Sequence, residues 1–220
     1  MRVFYLAPAH FQLSNIALKR LKLARFHSLN DPFEMLAIDV VSGDLRTGIR
    51  AKKSQIDGTE GILCFSKHWK NPLLWSHYAD KHRGIALGFD VPDSSLKPVR
   101  YVARMDKINL LSEDIPQEKF DVFLERLRYT KFVDWKYEDE VRQFFDLRSL
   151  TEQAGLYFVP FSQDLLLRAV ILGPHCDMPI EAIRSLVEPH QPRVFVCKAR
   201  IAYTDFRVTE DRSFRKKMRE

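Results

Sequence analysis

The stretch from Ile62 to Asp90, ILCFSKHWKNPLLWSHYADKHRGIALGFD, limits what this chain can become more than any other part of it. Its apolar run Ile62 to Phe65 predicts a buried strand that stops at Ser66. Asn71 before Pro72 predicts a helix start, because asparagine caps free amides and proline suits the first helical position. The helix is expected to end near His82 or Arg83, with Gly84 taking the left-handed stop. A second apolar run, Ile85 to Phe89, predicts another buried strand. On the helix, Trp75, Tyr78, Ala79 and His82 share one face at i, i+3, i+4 and i+7, with Leu74 beside them and His77 on the flank. Two accounts fit this face: aromatic packing with satisfied polar tips, or a binding surface.

The 220 residues suit a single domain, expected over residues 1–210, with a basic C-terminal tail at 211–220. A hydrophobic content of 45% is ample for a core, and the net charge of +6 permits contact with a polyanion without requiring it. Cys64, Cys176 and Cys197 are odd in number and lack paired spacing, which points to a reducing compartment and away from a zinc site. Arg2 is followed only by a short mixed apolar run, so no signal peptide is expected. No segment approaches the roughly 20 apolar residues of a membrane helix. A cytoplasmic protein without membrane contact is the expectation.

Along the chain, Val3 to Ala7 reads as a first strand. Pro8 opens a helix to about Leu21, with Phe11, Ser14, Leu18 and Leu21 on a repeating face. Leu23 to Phe26 is a short strand candidate. In the run LNDPFE, Asp31 before Pro32 favours an extended residue and then a helix start, with Glu34 complementing its positive end. Asn30 and Asp31 are capable of binding a ligand there. Phe33 to about Lys53 reads as helical with interruptions at Gly43 and Gly48, and Asp57-Gly58 with Gly61 as a turn. Met105 to Asp114 reads as loop, and Pro116 as the start of a helix to about Tyr129. From Glu138 the pattern alternates, placing Glu138, Glu140, Arg142 and Phe144 on one face of a strand. Leu165 to Leu172 and Val194 to Ala202 read as strands, with the helix Pro179 to Val187 between them. Strands and short helices without a regular alternating rhythm predict an α+β fold, with a mixed, largely antiparallel sheet core and surrounding helices.

For chemistry, Glu138, Glu140 and Arg142 give the strongest signal. Carboxylates two apart on a strand face repel, so one is expected to carry a raised pKa while the arginine holds the other ionised. The competing account is a surface row of ion pairs. His77 and His82 are five apart, which a helix does not place on one face, and neither paired C-x-x-C nor H-E-x-x-H is present, so no metal site is expected. Walker and G-x-G-x-x-G loops are also missing.

The runs LNDPFE, CFS, LWSHYAxxHxGIALGFD, KYEDEVR and AVILG, in this order, resemble a large and mostly bacterial and phage-borne family catalogued as a domain of unknown function. The resemblance spans nearly the whole chain but brings no established activity. More distantly, the order of Tyr5, Ser66 and Glu140 with Glu138 is similar to the three strand-borne motifs of ADP-ribosyltransferases, although the early strand lacks their His or Arg. That likeness implies a split-sheet core and NAD as substrate. In it Glu140 bonds the ribose 2′-hydroxyl and Glu138 orients or deprotonates the acceptor. Ser66 bonds the ribose or Glu140, Trp75 or Tyr78 stacks on nicotinamide, and Arg142 or His77 meets the pyrophosphate. The expected function is a mono-ADP-ribosyltransferase acting as a toxin or phage-defence effector on a protein or nucleic-acid acceptor, with an antitoxin or immunity partner in prospect. The alternatives are a non-catalytic nucleic-acid-binding or regulatory module, and a metal-dependent nuclease using His77, His82, Asp31 and Glu140.

Overall fold

A computed structural model describes residues 1–39, 43–107, 117–188 and 194–214. Its centre is an eight-stranded sheet with the order Val208–Glu210, Phe195–Ile201, Leu166–Leu172, Ile85–Asp90, Arg2–Ala7, Glu60–Ser66, Glu140–Asp146 and Lys97–Pro98. Every neighbouring pair is antiparallel except Leu166–Leu172 with Phe195–Ile201, which the helix Ile180–Val187 connects. The expected α+β class with a mixed, mostly antiparallel sheet is therefore what the chain adopts.

The strand Ile85–Asp90 is apolar as far as Phe89 because both of its faces are covered there. One face packs Leu87 and Phe89 with Val3, Phe65, Val141 and Val170. The opposite face sets Ala86 and Ile171 against Trp75 and Ala79 of the aromatic helix. The strands Arg2–Ala7 and Glu60–Ser66 meet differently from all the rest of the sheet. Phe4 opposite Ser66 is their one paired position, whereas Arg2–Ala7 pairs with Ile85–Asp90 along its whole length. Farther along Glu60–Ser66, Ala24 takes over the edge, exchanging two 2.9 Å backbone hydrogen bonds with Ile62. Between these two contacts the sheet is split.

Several boundaries differ from expectation, each for a local reason. The aromatic helix spans Pro72–Tyr78, about a turn shorter than predicted, and Asn71 Oδ1 caps it by accepting from Leu73 N at 2.9 Å. Its stop consists of three left-handed residues, Asp80, Lys81 and His82, with φ of 44°, 51° and 72°. Gly84 is not left-handed; it is small because a Cβ there would run into Ala7 O and lie 2.8 Å from Ala79 Cα. The first helix is Ala9–Ala17, and its buried side carries Gln12, Asn15 and Ile16 while Phe11 and Leu18 are exposed. Gln12 is buried because Nε2 ties the carbonyls of Tyr5 and Ile85. Arg20–Lys22 forms the short strand expected three residues later, and Phe26–Ser28 is a 3-10 turn. Residues 32–35 make only a turn, after which one helix, Gly43–Thr59, runs through Gly48, Asp57 and Gly58 without interruption. Pro116, most of the expected loop (residues 108–114) and residues 215–220 of the basic tail lie outside the described residues, and the helix near Pro116 is described from Gln117 to Leu127.

Candidate functional site

A cavity of about 170 Å³ opens where the sheet splits. Phe4 and Leu6 line one side, Ile62, Cys64 and Ser66 the other, and Glu138, Glu140 and Lys131 stand at one end with Tyr78 and Asn30. Backbone parity adds polar groups to the apolar walls. Ile62 turns its N–H and C=O toward Ala24, so Cys64, two residues on, turns its own to the same edge and into the split.

Strand register builds the charged end. Glu140 pairs with Ser66 and Arg142 with Cys64, so both charged side chains share the cavity face of their strand. Glu138 reaches the same place by another route. It ends the 3-10 helix Val133–Glu138 and is followed by left-handed Asp139 (φ 42°), so the expected strand alternation begins only at Glu140. That kink brings Glu138 back beside Glu140.

The resulting network is buried. Arg142 spends all five of its N–H groups. Nη1 and Nη2 bind Glu34 at 2.9 and 2.6 Å, Nε and Nη2 bind Glu140 at 2.7 and 3.2 Å, and Nη1 also meets Arg128 O at 2.7 Å. Lys131 Nζ lies 2.6 Å from Glu138, 3.4 Å from Glu140 and 3.7 Å from Glu34. The Tyr78 hydroxyl donates to Glu138 and accepts from Asn30 Nδ2 at 3.0 Å. Tyr101 accepts from the backbone N–H of Glu140 at 2.8 Å.

The two glutamates are driven apart electrostatically. Burial pushes both upward, but at Glu140 the Arg142 and Lys131 charges prevail and hold the carboxyl down at about 2. At Glu138 burial prevails over Lys131, the Glu140 charge adds to it, and the pKa is raised. This is the division expected of the pair: one carboxylate kept ionised by arginine, the other made easier to protonate. Lys131 is held protonated against its burial by Glu140, Glu138 and Glu34. Burial and Glu138 raise the Tyr78 hydroxyl, and burial with the neighbouring Cys64 pushes Tyr5 up to about 12.

Of the residues singled out in the sequence, the cavity gathers Tyr5, Ser66, Tyr78, Glu138, Glu140 and Asn30. Others need correction. Trp75 is wholly buried, its Nε1 donating to Trp69 O at 2.6 Å, so it has no face to stack on a ligand. Arg142 is equally inaccessible and fully bonded; it braces carboxylates and does not meet a pyrophosphate. His77 is exposed outside the cavity lining, 5.9 Å from the Trp135 ring and 5.7 Å from that of Tyr137. His82, the last residue of the left-handed turn, sits beside His175 at 5.8 Å and outside the cavity lining. Asp31 is buried, with Oδ1 accepting from Phe33 N at 2.9 Å and Oδ2 without a partner. His77, His82, Asp31 and Glu140 therefore do not assemble. Among the described residues no group of three or more His, Cys, Asp or Glu side chains is placed to hold a metal ion.

Glu34, Lys131 and Tyr101 belong to the network and were not identified from sequence. Glu34 had a visible signal, a charged residue inside the LNDPFE run, but a helix-start role explained it equally well. Lys131 and Tyr101 stand in ordinary strand contexts with no local mark.

No family model matches the chain, and no curated protein or solved structure is significantly similar to it. Among the described residues no helix is long and apolar enough to cross a membrane.

Proposed function

We propose that this chain is an NAD-using mono-ADP-ribosyltransferase, acting as a toxin or phage-defence effector on a protein or nucleic-acid acceptor. The observation that carries the reading is the meeting of Glu138 and Glu140 with Ser66 and Tyr78 in one cavity at the split of the sheet. The effector role rests on the resemblance of sequence motifs alone.

In this reading the cavity takes the nicotinamide–ribose end of the dinucleotide. Its volume, about 170 Å³, is below the roughly 300–1,000 Å³ of pockets that enclose whole ligands, so the adenylate half stays outside. The C1′–N1 bond breaks, its electron pair leaving with nicotinamide, and positive charge develops on the ribose as in glycoside cleavage. Glu140 is suited to stabilise that charge through the 2′-hydroxyl because it stays ionised at neutral pH. Arg142 and Lys131 occupy most of its lone pairs, and the remaining partner, the Cys64 thiol, is a weak donor that a hydroxyl displaces readily. Glu138 receives the proton of the acceptor's nucleophile as the new bond to C1′ forms, a role its raised pKa favours.

The test is incubation of the purified protein with labelled NAD and crude lysate, scoring nicotinamide release and label in protein, RNA and DNA. Activity is expected, with a fall of about 10²-fold or more in Glu140→Gln, the usual scale for losing one group that stabilises transition-state charge. A folded wild-type protein that neither releases nicotinamide nor transfers label refutes the proposal.

One observation favours a second reading, a nucleic-acid-binding module. His77, Trp135 and Tyr137 form a partly exposed aromatic group, with Lys131 Nζ 4.7 Å from the Trp135 ring centroid. Binding of that kind weakens steeply with salt and is indifferent to Glu140→Gln.

A further inference from the structure

The charge of the cavity is unbalanced, and the imbalance says what kind of ligand it suits. Three carboxylates, Glu34, Glu138 and Glu140, face two cations, Lys131 and Arg142, at separations of 2.6 to 3.7 Å. All five side chains are at least nine-tenths buried. Arg142 is saturated by Glu34, Glu140 and a backbone carbonyl, so Glu138 is the carboxylate left to share Lys131. Its other partner is the neutral Tyr78 hydroxyl. Among the described residues no other charged side chain lines the cavity, and Asp139, next along the chain from Glu138, is paired outside it with Lys67 at 3.0 Å. Asp31, buried just before the adjoining turn, leaves its Oδ2 without a hydrogen-bond partner.

We infer that the cavity selects a heteroaromatic cation, such as an N-ribosylated pyridinium, over its neutral counterpart of the same shape, and that Glu138 supplies the selectivity. The inference deepens the proposed function by identifying what the site distinguishes, oxidised from reduced nicotinamide, and it rests on that reading for the ligand class. A buried carboxylate lacking a full share of countercharge gains more from an incoming cation than a solvated one does. Phe4, Leu6 and Ile62 provide the apolar walls that a flat ring requires. The same linkage gives a pH dependence. Protonation of Glu138 removes the surplus charge, so cation affinity falls as the pH drops through its raised pKa, and a bound cation opposes that protonation.

The experiment is calorimetric titration of the intact chain with nicotinamide riboside, a cation, and with its neutral dihydro form at pH 7.5. The cation is then titrated alone down to pH 5.5. We expect the cation to bind at least about tenfold tighter than the neutral form at pH 7.5, and its own affinity to weaken on acidification. Glu138→Gln, chosen because it keeps the shape of the side chain, is expected to abolish both the preference and the pH dependence. Equal binding of the two probes, preference for the neutral form, no binding of either, or a preference that survives in folded Glu138→Gln each overturns the inference. Should that variant fail to fold by circular dichroism, the wild-type pair at pH 7.5 decides: equal binding of the two probes, or preference for the neutral form, overturns it. Nicotinamide release from NAD is scored separately. Selective binding of the cation without any release leaves the charge selectivity standing and removes the transferase.

Discussion

Replacing Arg142 by methionine keeps roughly the length of the side chain and removes its charge from the most crowded point of the molecule. The guanidinium makes five hydrogen bonds with no accessible surface, four of them to the carboxylates of Glu34 and Glu140. Taking away one partner of a buried ion pair leaves uncompensated charge and typically costs about 3–5 kcal/mol. Here two carboxylates and the Arg128 carbonyl are left at once, so the upper end, about 5 kcal/mol, is expected. Against a total stability of about 5–15 kcal/mol that is a third or more of what holds the chain folded. The assay is urea unfolding followed by fluorescence of the buried Trp75. With a urea slope of about 1–3 kcal/mol per molar, the midpoint should fall by at least 1 M. Adding Glu34→Gln and Glu140→Gln to Arg142→Met removes the unpaired charge and should recover most of the loss. A single variant costing less than about 1 kcal/mol, the scale of an exposed pair, would show that the network is hydrated and that its buried electrostatics are wrongly drawn.

Two further outcomes follow from groups described above. Glu140, held at about 2 in the folded chain against about 4.3 when unfolded, contributes stability that is complete above the unfolded value and is lost as the pH falls toward 2. Guanidinium melts should therefore lose about 3 kcal/mol on that acid limb, less in Glu140→Gln, and an identical limb in the variant would contradict the assignment. Gly84→Ala places a methyl against Ala7 O and the Ala79 backbone, neither of which is a flexible side chain that can swing away. A loss of about 1–3 kcal/mol is expected by thermal unfolding, and an unchanged melting temperature would mean the close approach is not there.

The fold was largely legible where hydrophobic pattern and chain punctuation agreed. Ile62 to Phe65, Ile85 to Phe89 and Leu165 to Leu172 read as buried strands because burial on both faces leaves no polar alternation to confuse them. Asn71 with Pro72 marked a helix start that the side chain does cap. Pattern failed where a residue had two uses. Gly48 and Gly58 look like breaks yet lie inside the helix Gly43–Thr59, whose contacts to the rest of the fold outweigh their weak propensity. Gly84 has the sequence context of a turn glycine and is a close-packing one. In the site, Glu138 and Glu140 were found through their spacing, although the spacing argument assumed a continuous strand and the chain instead kinks at Asp139. Trp75 is ambiguous because an aromatic on a helix face looks the same in sequence whether it faces a ligand or the second layer of the core, where it lies. The role of Glu34 is not marked in the sequence because its pairing is made across the fold, Glu34 and Arg142 being 108 residues apart. Lys131 meets Glu138 only seven residues on, but through the 3-10 helix between them, which the sequence pattern does not announce.

The single rung joining Phe4 to Ser66 has a topological consequence. On one side of it lie five strands and on the other three, and the chain stitches across four times, from Ala7 to Glu60, Ser66 to Ile85, Asp90 to Lys97 and Asp146 to Leu166. Neither group of strands is a contiguous length of chain, so the two cannot be parted as modules by cutting or recombining the gene at one place. Residues from Phe4 to Glu140 are needed to enclose the opening, and a shorter fragment from either end yields one wall without its counterpart. What looks in space like a gap between two halves is, along the sequence, the most thoroughly sewn part of the molecule.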